Sequence, residues 1–383
     1  MAVLNRVGRS RLNVLKTTQL YSYHAKHAKL TEFAGYEMPL WYSTTMDEHL
    51  AVRNGSGIFD VSHMGRFVVE GAPSSAYLEE LVPTNVQSQP PGKAFYSLLL
   101  NDKGGIIDDL IIEKLADDRY MVVVNAANAE ADMEHMVAHL PAGFEIKDLT
   151  SDSAMIAVQG PKAQSSLQPL VNIDLAQLKR FRVAETKVAG QDGLISRTGY
   201  TGEDGFEVIV FGTSDDRPEG ALRVWSALAT TSTPCGLGAR DSLRLEAGFP
   251  LHGSDIDQST TPFMADLAWV ISAGKGGFVG SDALATPGAN QPATIRRGLV
   301  LDSGIPRHGF EVIDSSARVG TVTSGTFSPI IRKGVAQSYI QRERSDFGTR
   351  VSVKVRDAPH PATVTKPPFY DESLFGYKRQ KSN

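Results

Sequence analysis

Cysteine is nearly absent from this chain of 383 residues, in which Cys235 is the single example. That scarcity excludes a disulfide scaffold and a metal site built only from thiolates. The sequence has no apolar run near the roughly 20 residues that a membrane-spanning helix requires, so we expect no membrane partner. With 41% hydrophobic and 21% charged residues, it also lacks the composition of a disordered chain. We expect two or three domains with a packed core, in which Cys235 is a small buried residue.

Acidic residues are missing from positions 1–30, which hold six basic ones, so the rest of the chain is more acidic than the net charge of −4 suggests. A basic, acid-free start without the apolar core of a secretory signal is typical of a mitochondrial transit peptide. We therefore expect a transit segment over residues 1–19 and a location in the mitochondrial matrix. A frayed, solvated terminus is the alternative. Because the body is acidic, we expect no nucleic-acid partner.

Short strands joined by hairpins dominate the pattern between residue 57 and residue 250. The predicted strands cover 57–61, 66–69, 93–100, 106–115, 119–125, 153–158, 186–189, 194–197 and 206–211. The predicted helices cover 47–53, 73–82, 127–139, 221–230 and 238–247. Residues 190–193 are predicted to form a hairpin turn. Hairpins argue against a doubly wound parallel sheet, so the fold class is α+β with antiparallel sheets.

The composition changes near residue 290, after a candidate linker at 282–292 that is rich in proline, glycine and alanine. Beyond it, short strands recur without a convincing helix. They are predicted at 298–301, 311–313, 318–323, 335–339 and 350–355. This spacing is typical of a small all-β barrel or sandwich, which we expect as the C-terminal domain.

Two adjacent carboxylates, Asp108 and Asp109, interrupt an apolar strand. Because side chains alternate across a strand, the two must point in opposite directions. A buried carboxylate must find donors or take up a proton. The pair therefore either caps backbone amides at the hairpin rim, or combines one structural aspartate with one that faces a cleft as an acid, a base or a ligand anchor.

Glu207 lies on the same strand face as Ile209 and Phe211, so it needs a partner with paired N–H groups. An arginine of the protein would serve, and so would a ligand with an amidine-like edge such as a pterin or purine. The preceding glycine-rich segment, 197–205, permits close approach of a ligand, although a plain tight turn explains it equally.

Arg240 and Arg244 are one helical turn apart and share a helix face. Two neighbouring guanidinium groups repel one another unless an anion lies between or beside them. Ion pairing with Asp241 is one explanation. Capture of a ligand carboxylate by the two arginines is the other.

Several common cofactor motifs are missing from the sequence. No dinucleotide fingerprint, phosphate loop or histidine pair with metal-ligand spacing occurs. We therefore expect no metal, no flavin and no nicotinamide cofactor.

Seven segments, taken together and in this order, resemble the aminomethyltransferase (T protein) family of the glycine cleavage system. They are FAGYEMPL (33–40), FDVSHM (59–64), GGIIDDL (104–110), VQGP (158–161), RTGYTGEDGFE (197–207), CGLGARDSLRLEA (235–247) and TSGTFSP (323–329). The resemblance extends from about residue 20 to the C-terminus.

This resemblance implies a three-domain cloverleaf around a central channel for tetrahydrofolate. It divides the chain into 20–66 with 152–257 as domain 1, 67–151 as domain 2, 258–292 as a connecting segment and 293–383 as the C-terminal barrel. It implies no resident cofactor besides tetrahydrofolate, the acceptor substrate. The carrier (H) protein, which bears a lipoyl arm, is the implied partner, and we expect a monomer or weak association.

The resemblance also assigns roles to individual residues. Asp109 resembles the catalytic acid, Glu207 the group that holds the amino-pyrimidine edge of the pterin, and Arg240 the contact to the folate glutamate, with Arg244 beside it. The remaining implied folate contacts are Tyr96, Val123, Asn125, Met64, Tyr200 and, in the poorly aligned C-terminal tail, Tyr377.

Relatives with other functions share this fold. Folate-linked demethylases of this fold are usually fused to a flavin domain, and this chain has no dinucleotide-binding motif for such a domain. Non-catalytic iron–sulfur assembly proteins carry a Lys-Gly-Cys-Tyr segment, where this chain has Arg-Thr-Gly-Tyr at 197–200. The sequence therefore favours the aminomethyltransferase.

Overall fold

The computed structural model describes residues 15–356 and 358–380. The helices are α1 (Tyr21–His27), α2 (Thr45–Asn54), α3 (Ser74–Leu81), α4 (Ala129–Ala138), α5 (Ala163–Leu167), α6 (Glu219–Leu228), α7 (Leu237–Ala247) and α8 (Ser281–Leu284). Short 3-10 turns occur at Gln168–Leu170, Ala268–Val270 and Arg342–Arg344. No helix in these two ranges has the length and hydropathy needed to cross a membrane.

The strands before residue 290 are β1 (Lys29–Phe33), β2 (Tyr36–Trp41), β3 (Gly57–Asp60), β4 (Gly65–Glu70), β5 (Lys93–Leu100), β6 (Ile106–Ala116), β7 (Arg119–Val124), β8 (Ile146–Asp148), β9 (Ser153–Gln159), β10 (Val183–Val188), β11 (Gln191–Ser196), β12 (Gly205–Phe211) and β13 (Thr233–Pro234). Those after it are β14 (Thr294–Leu301), β15 (Glu311–Asp314), β16 (Ala317–Ser328), β17 (Lys333–Gln341), β18 (Arg350–Val355) and β19 (Ala358–Thr365).

A six-stranded sheet in the order β10-β11-β12-β9-β3-β13 forms the first layer. Its central strand β9 is buried along its whole length and apolar from Ala154 to Val158, as expected for a strand covered on both faces. Helix α6 covers one face with the residues Ala221, Val224, Trp225 and Leu228, whose spacing of three and four places them on one side of the helix.

A five-stranded sheet in the order β5-β6-β7-β4-β8 forms the second layer. Helices α3 and α4 cover its outer face, where Leu78 and Met136 are buried. Its inner face packs on the first sheet, since Met121 and Val123 share a core cluster with Leu194 and Ile209. Alternation along the strands thus supplies apolar residues to both faces and leaves a shared interior between the two sheets.

The C-terminal strands close into a barrel in the order β14-β17-β16-β15-β18-β19. Helix α7 attaches the barrel to the sheets through buried polar contacts. Arg244 pairs with Asp255 at 2.5 Å and donates to the Ser324 hydroxyl at 2.9 Å. Glu246 accepts a hydrogen bond from Ser328 and pairs with Arg53 at 2.8 Å. The barrel is therefore fixed against the helix by hydrogen-bonded charges.

The predicted fold class is confirmed, and the C-terminal domain is the barrel rather than the sandwich. The predicted turn at 190–193 is too long, because β11 already begins at Gln191. Sequence patterns missed α1, β1, β2, β8, β13, α8 and β19. The apolar side chains of β1 and β19 are too few to give a strand periodicity, and tertiary pairing determines both.

Most of the predicted transit segment, residues 1–14, lies outside the described residues. Of residues 15–19, which are described, Thr18 and Gln19 are buried. Lys16 forms an isolated β-bridge with Tyr36, and the Thr18 hydroxyl donates to the buried Asp60 at 2.6 Å. Cys235 is 1% exposed, as expected. Burial raises the pKa of its thiol well above the ordinary value.

Candidate active site

A cavity of about 390 Å³ opens where the two sheets, helix α7 and the barrel meet. Eight of the residues predicted for the site line it, from elements in both sheets and from α7. They are Met64, Tyr96, Asp109, Val123, Asn125, Tyr200, Glu207 and Arg240. The volume falls within the range typical of small-molecule sites.

Asp108 is the structural member of the aspartate pair. It is fully buried and accepts hydrogen bonds from the backbone N–H of Asn125 at 2.9 Å and from the side chain of Asn128 at 2.5 Å. Asn125 also brings its amide within 2.9 Å of the Asp108 carboxylate. These donors anchor the end of β7 and the start of α4 to β6.

Asp109 points the other way, into the cavity, as alternation along β6 requires. The Tyr96 hydroxyl donates to its Oδ2 at 3.0 Å, and Asn125 Nδ2 lies 3.0 Å from its Oδ1. Burial, together with the neighbouring charge of Asp108, raises the pKa of Asp109 to about 6. A carboxyl with this pKa can both accept and release a proton near neutral pH.

A third acid, Asp132 of α4, belongs to this cluster and was not predicted. Burial and the charge of Asp108 raise the pKa of Asp132 to about 11, so the Asp132 carboxyl is neutral and can donate to Asp108. Its distance of 24 positions from Asp108 explains why no local pattern indicated it. Because Asp132 is protonated, the cluster of Asp108, Asp109 and Asp132 carries less negative charge than three ionised carboxylates would.

Glu207 and Arg240 face the cavity from opposite elements, β12 and α7. Thr198 donates to Glu207 Oε2 at 2.5 Å. The Arg240 guanidinium lies 5.0 Å from the centre of the Tyr200 ring, and its buried Nη1 has no hydrogen-bond partner among the described residues. Burial lowers the pKa of Arg240, which nonetheless remains charged at neutral pH. The cavity therefore presents the Glu207 carboxylate as a hydrogen-bond acceptor and the Arg240 guanidinium as a cationic hydrogen-bond donor.

The structure does not support two of the predicted contacts. Arg244 does not line the cavity, because its guanidinium is used by Asp241 at 2.8 Å and by Asp255. The ion-pair explanation left open above is therefore the correct one for Arg244. Tyr377 is 43% exposed and lies outside the cavity lining, with the Arg180 guanidinium 3.4 Å from the centre of its ring.

Trp269 is a cavity residue that sequence reasoning missed. It is 69% exposed and stacks on Tyr96 with ring centres 5.7 Å apart. It lies in the stretch described above only as a connecting segment, and no motif surrounds it. Arg180, Arg296 and Lys366 add positive charge to the same lining, whereas Arg297 pairs there with Asp266 at 2.9 Å. Their positive charge matches that of Arg240 and favours an anionic ligand group.

The arrangement suits a flat heteroaromatic ligand with an anionic tail. A carboxylate for an amidine-like edge, a proton-exchanging acid and a cation for the tail all face one space. Among the residues in the described ranges, no group of three or more His, Cys, Asp or Glu side chains is placed to hold a metal ion.

Comparisons with known proteins show which family the chain is similar to. Residues 20–275 match the family model of the GCVT N-terminal domain, and residues 296–371 match that of the glycine cleavage T-protein C-terminal barrel domain. The chain is 42% identical to an aminomethyltransferase of Synechococcus elongatus over 355 residues, or 91% of this chain and 94% of that protein. It is 42% identical to an aminomethyltransferase of Thermus thermophilus over 359 residues, or 93% and 99%.

Among solved structures, the chain resembles the glycine cleavage system aminomethyltransferase T of Bartonella henselae. The two share 35% sequence identity with a TM-score of 0.87, over 95% of this chain and 100% of that one.

The raised pKa of Asp109 predicts a pH-dependent effect on stability. Its pKa is 3.8 in the unfolded chain and about 6 in the fold, so its contribution is fully present below pH 4 and is lost as the pH rises through 6. Asp109→Asn removes this loss. We expect the free energy of unfolding of the variant, relative to the parent protein, to rise by up to about 3 kcal/mol between pH 4 and pH 7.5.

Urea denaturation at the two pH values measures this difference. Asp192→Asn is the matched control, because that side chain is 78% exposed and its substitution should shift the difference little. An Asp109→Asn difference that stays constant with pH contradicts the raised pKa.

Proposed function

The chain belongs to the glycine cleavage T-protein family of aminomethyltransferases, and from this membership we propose how its cavity carries out the reaction. The reaction moves the carbon of an aminomethyl group, carried on the dihydrolipoyl arm of the H protein, to tetrahydrofolate. The products are 5,10-methylenetetrahydrofolate, ammonia and the dihydrolipoyl arm. One observation carries the proposal: Asp109, Glu207 and Arg240 come from three separate elements and line one cavity.

Tetrahydrofolate is placed by the complementarity of its two ends. The amino-pyrimidine edge presents paired N–H groups, which match the carboxylate of Glu207. The glutamate tail is a dicarboxylate, which matches the Arg240 guanidinium, whose Nη1 has no hydrogen-bond partner within the described part of the chain. Tyr96, Tyr200, Val123, Met64 and Asn125 then line the space that the rings occupy.

Asp109 manages protons at the reacting nitrogens. Two N–H protons of tetrahydrofolate leave as its nitrogens bond to the carbon, and two protons end on the ammonia and the thiol. A carboxyl with a pKa of about 6 can take up one such proton and pass it to the departing nitrogen. Tyr96 and Asn125 orient the carboxyl for this exchange.

The carbon of an aminomethyl thioether is already electrophilic once nitrogen or sulfur begins to leave. The protein therefore contributes mainly by holding the folate nitrogen near that carbon, which is worth up to roughly 7–11 kcal/mol. It also contributes by excluding water, which would otherwise release the carbon as formaldehyde. The burial of Glu207, which is 8% exposed although it lines the cavity, agrees with a water-poor site.

The partner and the cofactors follow from the same proposal, whereas the location rests on a separate observation. We infer that the H protein docks to this chain as a monomer or a weak associate, and that no metal, flavin or nicotinamide takes part. We infer a mitochondrial matrix location from the basic N-terminal composition alone. The relatives named above are bacterial, so they give no support for this location.

Asp109→Asn tests the proposed proton transfer. The amide keeps the size and the Tyr96 contact but cannot exchange a proton. We therefore expect turnover to fall by roughly 10²–10⁴-fold with tetrahydrofolate affinity within about 2-fold. Ammonia release from aminomethylated H protein measures turnover, with a parallel assay that omits folate as the control. Unchanged turnover, or equal release without folate, contradicts the mechanism.

Arg240 and Arg244 lie one helical turn apart, so the variants Arg240→Met and Arg244→Met form a matched pair. Loss of Arg240 removes a charged contact to the tail, so the Kd for tetrahydrofolate should rise roughly 10-fold or more, with little loss of stability. Loss of Arg244 leaves Asp255 buried without its partner, which should cost about 3–5 kcal/mol of unfolding free energy. Calorimetric titration and urea denaturation of both variants separate the effects, and the reverse pattern contradicts the assignment.

The location is tested with residues 1–30 fused to a fluorescent reporter in a eukaryotic cell. We expect import into mitochondria, because this stretch contains six basic residues and no acidic one. A version in which Arg6, Arg9 and Arg11 are replaced by glutamine should remain in the cytosol. A reporter that stays outside mitochondria with the native stretch contradicts the proposal.

A further inference from the structure

A histidine stands behind the aspartate pair, outside the cavity lining. His252 lies on the loop that follows helix α7. The loop is fixed, because the Asp255 carboxylate that pairs with Arg244 also accepts from the backbone N–H of Leu251 at 2.9 Å. Neither the proton transfer nor the folate contacts proposed above use the imidazole of His252.

Both ring nitrogens of His252 have a partner. Nε2 lies 3.2 Å from the carbonyl oxygen of Ile106, the first residue of β6, and Nδ1 lies 2.8 Å from Asn128 Nδ2. A carbonyl oxygen only accepts hydrogen bonds, so Nε2 must carry a proton. An amide nitrogen only donates them, so Nδ1 must be unprotonated. The two contacts together fix the neutral imidazole with its proton on Nε2.

The amide group of Asn128 connects this ring to the aspartate pair. Its nitrogen lies 2.5 Å from Asp108 Oδ1 as well as 2.8 Å from His252 Nδ1. The nitrogen carries two hydrogens, so each neighbour receives one. The rotated amide would place its oxygen against the Asp108 carboxylate, and the two acceptors would repel each other. The two neighbours therefore hold the Asn128 amide in one orientation.

Asp108 depends on the donor from Asn128 because its carboxylate is fully buried. Burial raises the pKa of Asp108, and hydrogen bonds, including those from Asn125 and Asn128, offset part of this rise. The charge of Asp108 is in turn a cause, after burial, of the raised pKa of Asp109. The orientation of the Asn128 amide therefore affects how readily Asp109 exchanges a proton.

We propose that His252 is a positioning residue for the proton transfer: as a neutral imidazole it accepts the second N–H of Asn128, which keeps the first N–H on Asp108 and so keeps Asp108 ionised beside Asp109. This inference rests on the proposed function of Asp109. The feature that the site requires is an acceptor at the position of Nδ1. The bond from Nε2 to Ile106 orients the ring that supplies it.

Loss of this acceptor releases the Asn128 amide. Its second hydrogen then has no partner on the loop, and the amide can turn away from Asp108. Asp108 takes up a proton more readily without this donor, and the pKa of Asp109 falls as the neighbouring negative charge is lost. The effect on the rate is about that of one hydrogen bond, or roughly 3- to 10-fold.

His252→Asn and His252→Gln form a matched pair, because each keeps one of the two hydrogen bonds of the ring. The asparagine oxygen takes the position of Nδ1 and can accept from Asn128. The glutamine nitrogen takes the position of Nε2 and can donate to Ile106. Both variants remove the imidazole and any charge on it, so the comparison between them isolates the acceptor.

Single-turnover ammonia release from aminomethylated H protein, with saturating tetrahydrofolate, measures the rate. We expect His252→Asn to stay within about 2-fold of the parent protein and His252→Gln to be roughly 3- to 10-fold slower. The Kd for tetrahydrofolate should stay within about 2-fold in both variants, because Glu207 and Arg240 are untouched. Equal rates in the two variants, or a slower His252→Asn, overturn the proposal.

The pH profile of this rate distinguishes positioning from a merely structural role. Its acid limb reports the ionisation of Asp109. The other ionisable groups that act on Asp109 are Tyr96, Asp108, Asp132, Tyr200 and His252. The midpoint of the limb should be at least roughly half a pH unit lower in His252→Gln than in His252→Asn, because Asp108 loses a donor only in the glutamine variant. Equal midpoints contradict the proposal, since a structural role affects both variants alike.

Nitrogen NMR spectroscopy of the free protein supplies an independent readout. The imidazole signals that are missing from both variants identify His252, and in the parent protein at pH 7.5 they should show a protonated Nε2 and an unprotonated Nδ1. If Nδ1 carries the proton, the proposal fails whatever the rates show. If the ring is in the expected state but ammonia release by the parent protein does not depend on folate, the proposed function fails instead, and with it the role of His252 in proton transfer.

Discussion

The buried ion pair between Arg244 and Asp255 is the contact on which the cavity depends. Removing two charges from water is costly, and the cost is offset here because Ser324 and Asp241 satisfy the remaining donors of the guanidinium. The pair fixes helix α7 against the barrel. Arg240, one turn earlier on the same helix, is thereby held at the cavity, where none of the residues described in the structure hydrogen bonds to its Nη1.

The acids of the site differ in the number of donors that each receives. Asp108 accepts from a backbone N–H and two side-chain amides, whereas Asp109 has a hydroxyl and one amide. Burial, together with a neighbouring carboxylate, raises the pKa of Asp132 to about 11 and that of Glu113 to about 7. Burial raises the pKa of every one of these carboxyls, and hydrogen-bond donors lower it again for only some of them. Neighbouring carboxyls of one fold can thus perform different tasks.

The sequence predicted the features that local rules determine. Alternation along a strand separated Asp108 from Asp109, and an acid on an apolar face marked Glu207. The same rules put Arg240 and Arg244 on one helix face but could not distinguish them, because Asp255 and Ser324 come from distant parts of the chain.

The position of Cys235 matters for the chemistry of the carrier. The dihydrolipoyl arm has two thiols, and its oxidised form is a disulfide that an accessible thiolate could attack to give a mixed disulfide. The only cysteine of the chain is buried beside Thr233, outside the cavity lining, and its raised pKa keeps it as the unreactive thiol. An oxidised arm that enters the cavity therefore meets no sulfur nucleophile of this protein and can leave without becoming covalently attached.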